Sequence, residues 1–163
     1  TMPSSPNSYA HIRPATTEDA AKISELISSV AHFFTQEPSD KGAEGFMAGI
    51  TTEAIRGYIQ SPDFYYLAAF HGTTLAGVAA LREGKHLFHL FVAPAFQRQG
   101  LARQLWLAAK AAATTTTKEF TVNSTPYAVP VYERFGFVSI GPKVEMNGIA
   151  FVPMKTTPLA KLG

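Results

Sequence analysis

The chain of 163 residues contains no cysteine, which removes disulfides, thiolate nucleophiles and thiolate metal sites from consideration. Charge of one sign is scarce too. With 14 basic and 12 acidic side chains the net charge is +2, too slight to draw a nucleic acid or an anionic membrane surface over the whole molecule. No apolar run is long enough to span a bilayer, and the opening TMPSSPNSY lacks the apolar centre of a secretion signal. A cytoplasmic protein that binds neither membrane nor nucleic acid is the expectation. What is present is apolar material: 46% of residues are hydrophobic and 12% aromatic, enough at this length for one domain around one core. Residues 9–157 are read as that domain, 1–8 as a disordered tail or a remnant of expression, and 158–163 as a C-terminal tail.

Along the chain, YAHIRPAT (9–16) reads as a short strand halted by Pro14. The Thr17, Glu18, Asp19 cluster then caps a helix with Ile23, Leu26, Ile27 and Val30 on one face, ending near Phe34. EPSDKGAEGF is a loop, and a weaker helix is expected across Thr52 to Gln60. FYYLAAF (64–70), TLAGVAALRE (74–83) and HLFHLFV (86–92) form an antiparallel meander, its first hairpin signalled by His71-Gly72. A helix from about Gly100 to Ala113 carries Leu101, Leu105, Trp106 and Ala109 at helical spacing and gives way to a threonine linker at 114–117. A strand at 120–125 follows, then a short helix at 128–135 with Pro130 in its first turn and Gly136 as its stop. Two closing strands near 137–144 and 149–155 flank the turn Asn147-Gly148. There is no internal repeat.

The stretch FVAPAFQRQGLARQLW (91–106) holds the chemistry. It passes from strand to helix through Gln97, Arg98, Gln99, Gly100, Leu101, Ala102 and Arg103, and no Asp or Glu occurs between Gln97 and Lys110. Helix starts expose unpaired N–H groups and a partial positive charge, so acids normally gather there. Either a ligand's phosphate supplies the missing negative charge, or Gly100 only starts a helix and both arginines are solvated.

Gln97-x-x-Gly100-x-Ala102 between a strand and a helix, followed by YERFGF (132–137) after the strand FTVNST, resembles the GCN5-related N-acetyltransferases. The strand order is similar over nearly the whole chain. One departure is the position of the family's asparagine: Asn123 precedes Tyr132 by nine residues, where many members have about seven. The resemblance implies an α/β (α+β) fold with a mixed, mostly antiparallel sheet of about seven strands and about four helices, strands 4 and 5 splayed. It implies transfer of an acetyl group from the cosubstrate acetyl-CoA, without a metal, to a primary amine by direct attack in a ternary complex.

The residue roles it implies are specific. Gln97, Arg98, Gln99, Gly100, Leu101, Ala102 and Arg103 hold the diphosphate. The pantetheine arm lies along Leu90, Phe91 and Val92, where the N–H of Phe91 or Val92 polarises the thioester carbonyl, and Leu90 and Val92 side chains line the acyl pocket or core. Tyr132 protonates the departing thiolate, and Asn123 joins the catalytic and cosubstrate-binding groups. An amine needs a base or a water chain to lose its proton at neutral pH. Strand alternation places His86 and His89 on opposite faces unless a bulge intervenes, so at most one faces the substrate; the resemblance, in which some members carry a Glu or His at the position corresponding to His86, prefers His86.

Phe33, Phe34, Phe46 and Glu44 are candidates for an acceptor cleft that would take a small-molecule amine, or a protein N-terminus or lysine. The apolar GIAFVPMKT suggests an edge to be covered in a homodimer. The alternative function is a non-catalytic acyl-CoA-binding sensor or structural module. An ATP-binding reading of the Gly100 loop lacks the Gly-Lys-Ser/Thr signature and carboxylates for magnesium.

Overall fold

The computed structural model describes residues 10–31, 44–113, 119–146 and 149–156. Among them are eight strands and five α-helices: β1 (His11–Pro14), α1 (Ala20–Val30), α2 (Glu44–Ala48), α3 (Thr52–Gln60), β2 (Phe64–His71), β3 (Thr74–Arg82), β4 (His86–Val92), α4 (Leu101–Ala112), β5 (Thr121–Ser124), α5 (Val129–Arg134), β6 (Phe137–Ser139), β7 (Val144–Met146) and β8 (Ile149–Thr156). The strands run in the order β1-β2-β3-β4-β5-β8-β6, with β7 paired to β8. All pairs are antiparallel except β4 with β5.

Local chemistry accounts for the helix starts. Thr16 and Asp19 form a capping box, in which the Thr16 N–H donates to Asp19 Oδ2 at 2.8 Å. Arg13 holds the same carboxylate at 2.8 Å, tying β1 to the turn that opens α1. Thr51 accepts the Ala54 N–H at the start of α3. Each sheet face has its own core. Ile23, Ile27 and Ile55 of α1 and α3 pack with Tyr66, Ala68 and Val78 on one face. On the other, Leu101, Leu105, Trp106 and Ala109 of α4 pack with Leu87, Phe120, Val122, Phe137 and Met154.

Three expectations need correction. The closing segment read as one strand at 137–144 is two, because Gly141 and Pro142 interrupt it between β6 and β7. The five-residue α2 falls where only a loop was expected. The apolar GIAFVPMKT is not an edge: β8 has β5 on one side and β6 and β7 on the other, so the expectation of an edge to be covered in a homodimer does not apply. The threonine linker, the turn at 147–148, both tails and the end of the first helix near Phe34 lie outside the described residues.

No helix among the described residues is long and apolar enough to cross a membrane. Nor does any group of three or more His, Asp or Glu there cluster to hold a metal ion.

Candidate active site

β4 and β5 pair only at His86 with Thr121 and Leu87 with Val122. Beyond Leu87 the two strands part, and a cleft of about 1130 Å³ opens between them. It is lined by Leu90, Phe91 and Val92 of β4, by the loop and helix start at Gln97, Arg98, Gly100, Leu101, Ala102 and Arg103, and by Asn123 and Tyr132. Gln99 is exposed beside this lining.

Backbone direction along β4 follows from its neighbours. The Ala93 N–H donates to Ala76 O at 2.8 Å, so alternation in an antiparallel ladder turns the Phe91 N–H toward β3 and those of Leu90 and Val92 toward the cleft. The side-chain amide of Gln97 donates to Val92 O at 2.9 Å, as this direction requires. Of the two N–H groups considered from sequence, only that of Val92 faces the gap, and Leu90 supplies a second that periodicity alone did not single out.

The helix start has the expected chemistry. Gly100, the N-cap of α4, has φ +82°, no side-chain cap is present and the first turn carries no acid. Arg98 also has a positive φ, +65°, an uncommon backbone state for a residue with a β-carbon. Together they turn the loop so that the first N–H groups of α4 adjoin the cleft, beside exposed Arg98 and Arg103.

Tyr132 sits on α5, its ring edge-on to Phe135 and Phe137 at 6.0 and 5.6 Å between centroids. Burial pushes its phenol above the ordinary tyrosine range, and among the described residues its hydroxyl has no hydrogen-bond partner. Asn123 is exposed on β5.

The histidines depart from simple alternation. Ala80 lies opposite His89 and Leu81 opposite Leu87, so Phe88 is an extra residue in a β-bulge. The bulge brings the His89 ring onto the Phe88 ring, 4.3 Å between centroids. His86 and His89 consequently share a face rather than opposing one another: Leu87 and Val122 belong to the core under α4, while His89 packs against Tyr58 and Tyr66 on the α3 side. His89 Nδ1 meets the Tyr66 hydroxyl at 2.7 Å, and burial pushes its pKa down to about 3. His86 Nδ1 meets Thr121 Oγ1 at 2.7 Å. Its pKa is lowered by burial and by the nearby Arg82 charge.

Phe46 and Tyr58 line the cleft on this side. Phe33, Phe34 and the Glu44 side chain lie outside the description. Thr121 and Arg82 were missed from sequence: the first matters only through the parallel pairing of distant strands, and the second carries no local signal.

The family model for the acetyltransferase (GNAT) domain matches residues 34–158. The chain belongs to the GNAT acetyltransferase family. Solved GNAT structures share the fold at low identity. A GCN5-related N-acetyltransferase from Rhodopseudomonas palustris is 20% identical with a TM-score of 0.76, covering 96% of this chain and 99% of its own. PaiA N-acetyltransferase from Thermoplasma acidophilum, solved with coenzyme A, is 19% identical with a TM-score of 0.72 over 91% and 98%. Spermidine N-acetyltransferase from Vibrio cholerae, solved with CoA and spermine, is 20% identical with a TM-score of 0.64 over 96% and 100%. No curated protein matches the sequence.

Proposed function

We propose that the chain is an acetyl-CoA-dependent N-acetyltransferase that moves the acetyl group to a primary amine within a ternary complex. The observation that carries this reading is the parting of β4 from β5 directly onto an uncapped helix start with Arg98 and Arg103 beside it. Exposed N–H groups and two cations suit a diphosphate, and the extended edge of β4 suits an arm with amides along its length. The arm runs from the loop after Val92 back along β4. The Val92 N–H therefore meets an amide of the arm, and the Leu90 N–H, two residues farther from the loop, holds the thioester carbonyl oxygen as it gains charge.

The amine nitrogen attacks the carbonyl carbon, the carbon–sulfur bond breaks, and the leaving thiolate takes the Tyr132 phenolic proton. Burial keeps the phenol protonated at neutral pH, so the proton is in place for the leaving thiolate, and the phenolate left behind regains one from solvent. The amine's own proton passes to His86, directly or through water. With Nδ1 donating to Thr121 Oγ1, the Nε2 lone pair is free to receive it. His89 is paired with Tyr66 and too weakly basic for this task. Asn123, which with Tyr132 lines the cleft, orients the arm.

Calorimetric titration of CoA, alongside thiol release with an amine panel, tests the reading. Gly100→Glu places a side chain at φ +82° and a negative charge at the helix start, so CoA binding should fall severely. Equal affinity of wild type and variant would remove the diphosphate from this loop.

A further inference from the structure

The end of the cleft away from the Gly100 loop is built differently from the rest. Arg82, on β3 opposite His86, lies over the Phe88 ring, 5.7 Å from guanidinium to centroid. Phe88 packs at 5.0 Å against both Tyr58 and Phe64, which are 4.9 Å from one another, so three rings make a continuous apolar wall. Arg82, Phe88 and Tyr58 all line the cleft. Arg82 has no ion-pair partner among the described residues, and no Asp or Glu among them lines the cleft. Its charge is felt at the site, contributing after burial to holding His86 neutral.

Arg82 sets a cation on this wall of the cleft, and like charge disfavours a polyamine or other polycation beside it. A guanidinium above an aromatic wall offers the opposite match: a planar, two-pronged donor for a carboxylate and a flat surface for an apolar body. Resting on the acetyltransferase reading, we propose that the acceptor is an amino-acid-like amine. Its apolar or aromatic side chain lies on the Phe88 and Tyr58 rings, its carboxylate is held by Arg82, and its amine is directed toward the thioester near Leu90. Arg82 is then the specificity-determining residue of the acceptor site.

The test measures thiol release from acetyl-CoA with phenylalanine, tyrosine, tryptophan, leucine and methionine, each beside its decarboxylated amine, with spermidine as the polycationic control. Wild type and Arg82→Gln are compared, and CoA affinity is titrated for both. The expected result is a kcat/KM for at least one amino acid about 10- to 100-fold above that of its decarboxylated partner, the scale of a charged hydrogen-bonded pair. In Arg82→Gln that ratio should fall close to one while CoA affinity is retained. A best substrate among the decarboxylated amines or spermidine, or a ratio unchanged by Arg82→Gln, overturns the proposal and leaves the acetyltransferase reading intact. CoA binding without acetylation of any of these amines likewise overturns it. Failure of CoA itself to bind wild type overturns the acetyltransferase reading, and this inference with it.

Discussion

Tyr66 and Tyr132 are both buried phenols whose ionisation is suppressed by burial, yet their hydroxyls are used differently. Tyr66 is committed to His89 at 2.7 Å, whereas the Tyr132 hydroxyl is at the cleft with no partner among the described residues. Tyr132→Phe keeps the ring against Phe135 and Phe137, so melting temperature should barely move. Under conditions where chemistry limits the rate, with a good acceptor, kcat should fall about 10²- to 10⁴-fold, the usual worth of a positioned acid. A near-normal kcat would end the assignment. The His86 pKa lies below its ordinary 6.5, so the limb of the rate profile that reports its deprotonation should lie below pH 6.5. Any rise above that belongs to the amine, and His86→Ala should remove the lower limb while alkaline pH partly restores rate. His89 makes a separate prediction about stability. Its folded pKa of about 3 lies under the unfolded value of about 6.5, so the unfolded chain binds the extra proton as pH falls. Its contribution is fully present above pH 6.5, erodes by up to about 1.4 kcal/mol per pH unit below it and levels off near the folded value. Denaturant titrations from pH 7 to pH 4 should show this slope, and His89→Phe should flatten it.

At the scale of elements, periodicity and punctuation made most of the chain legible. The helix expected across Thr52 to Gln60 has those bounds in the structure, because a threonine cap and an apolar face specify it locally. The β4 bulge was not legible, since nothing in HLFHLFV marks Phe88 as the additional residue; only its register with β3 does. Nor did local sequence reveal the part played by Gly77 in the middle of β3. A β-carbon there would stand 3.0 Å from both the Leu105 side chain and the Phe91 carbonyl oxygen. The missing side chain is what lets α4 lie close on the sheet behind the candidate site. Gly77→Val should destabilise the fold by about 1–3 kcal/mol as α4 and β4 are forced apart. Loss of CoA affinity should accompany it, read by denaturation and by calorimetry; a variant equal to wild type in both would show that the packing accommodates the change.

Across the whole molecule, the succession of elements along the chain was legible because turn residues separate them, whereas the seating of β8 between β5 and β6 was not, since no local signal records which distant strands it joins; the uncapped helix start at Gly100 was legible because its chemistry is written in consecutive residues. The far end of the cleft was not, since Arg82, Phe88 and Thr121 of the sheet and Tyr58 of α3 come together only in the folded molecule. That sheet is joined across its middle by just two residue pairs, His86 with Thr121 and Leu87 with Val122. Past them, alternate amides of β4 have no neighbouring strand to bond. Hydrogen–deuterium exchange should therefore divide β4 residue by residue. Without CoA, the amides of Leu90 and Val92 should exchange quickly while those of Phe91 and Ala93, turned toward β3, are protected. Saturating CoA should slow the first pair selectively and raise the melting temperature with ligand concentration. Uniform protection along β4 would mean that no arm lies on this edge. If the proposed arm lies here, the cosubstrate takes the place of an absent ladder partner, and solvent access to two amides becomes a direct gauge of site occupancy.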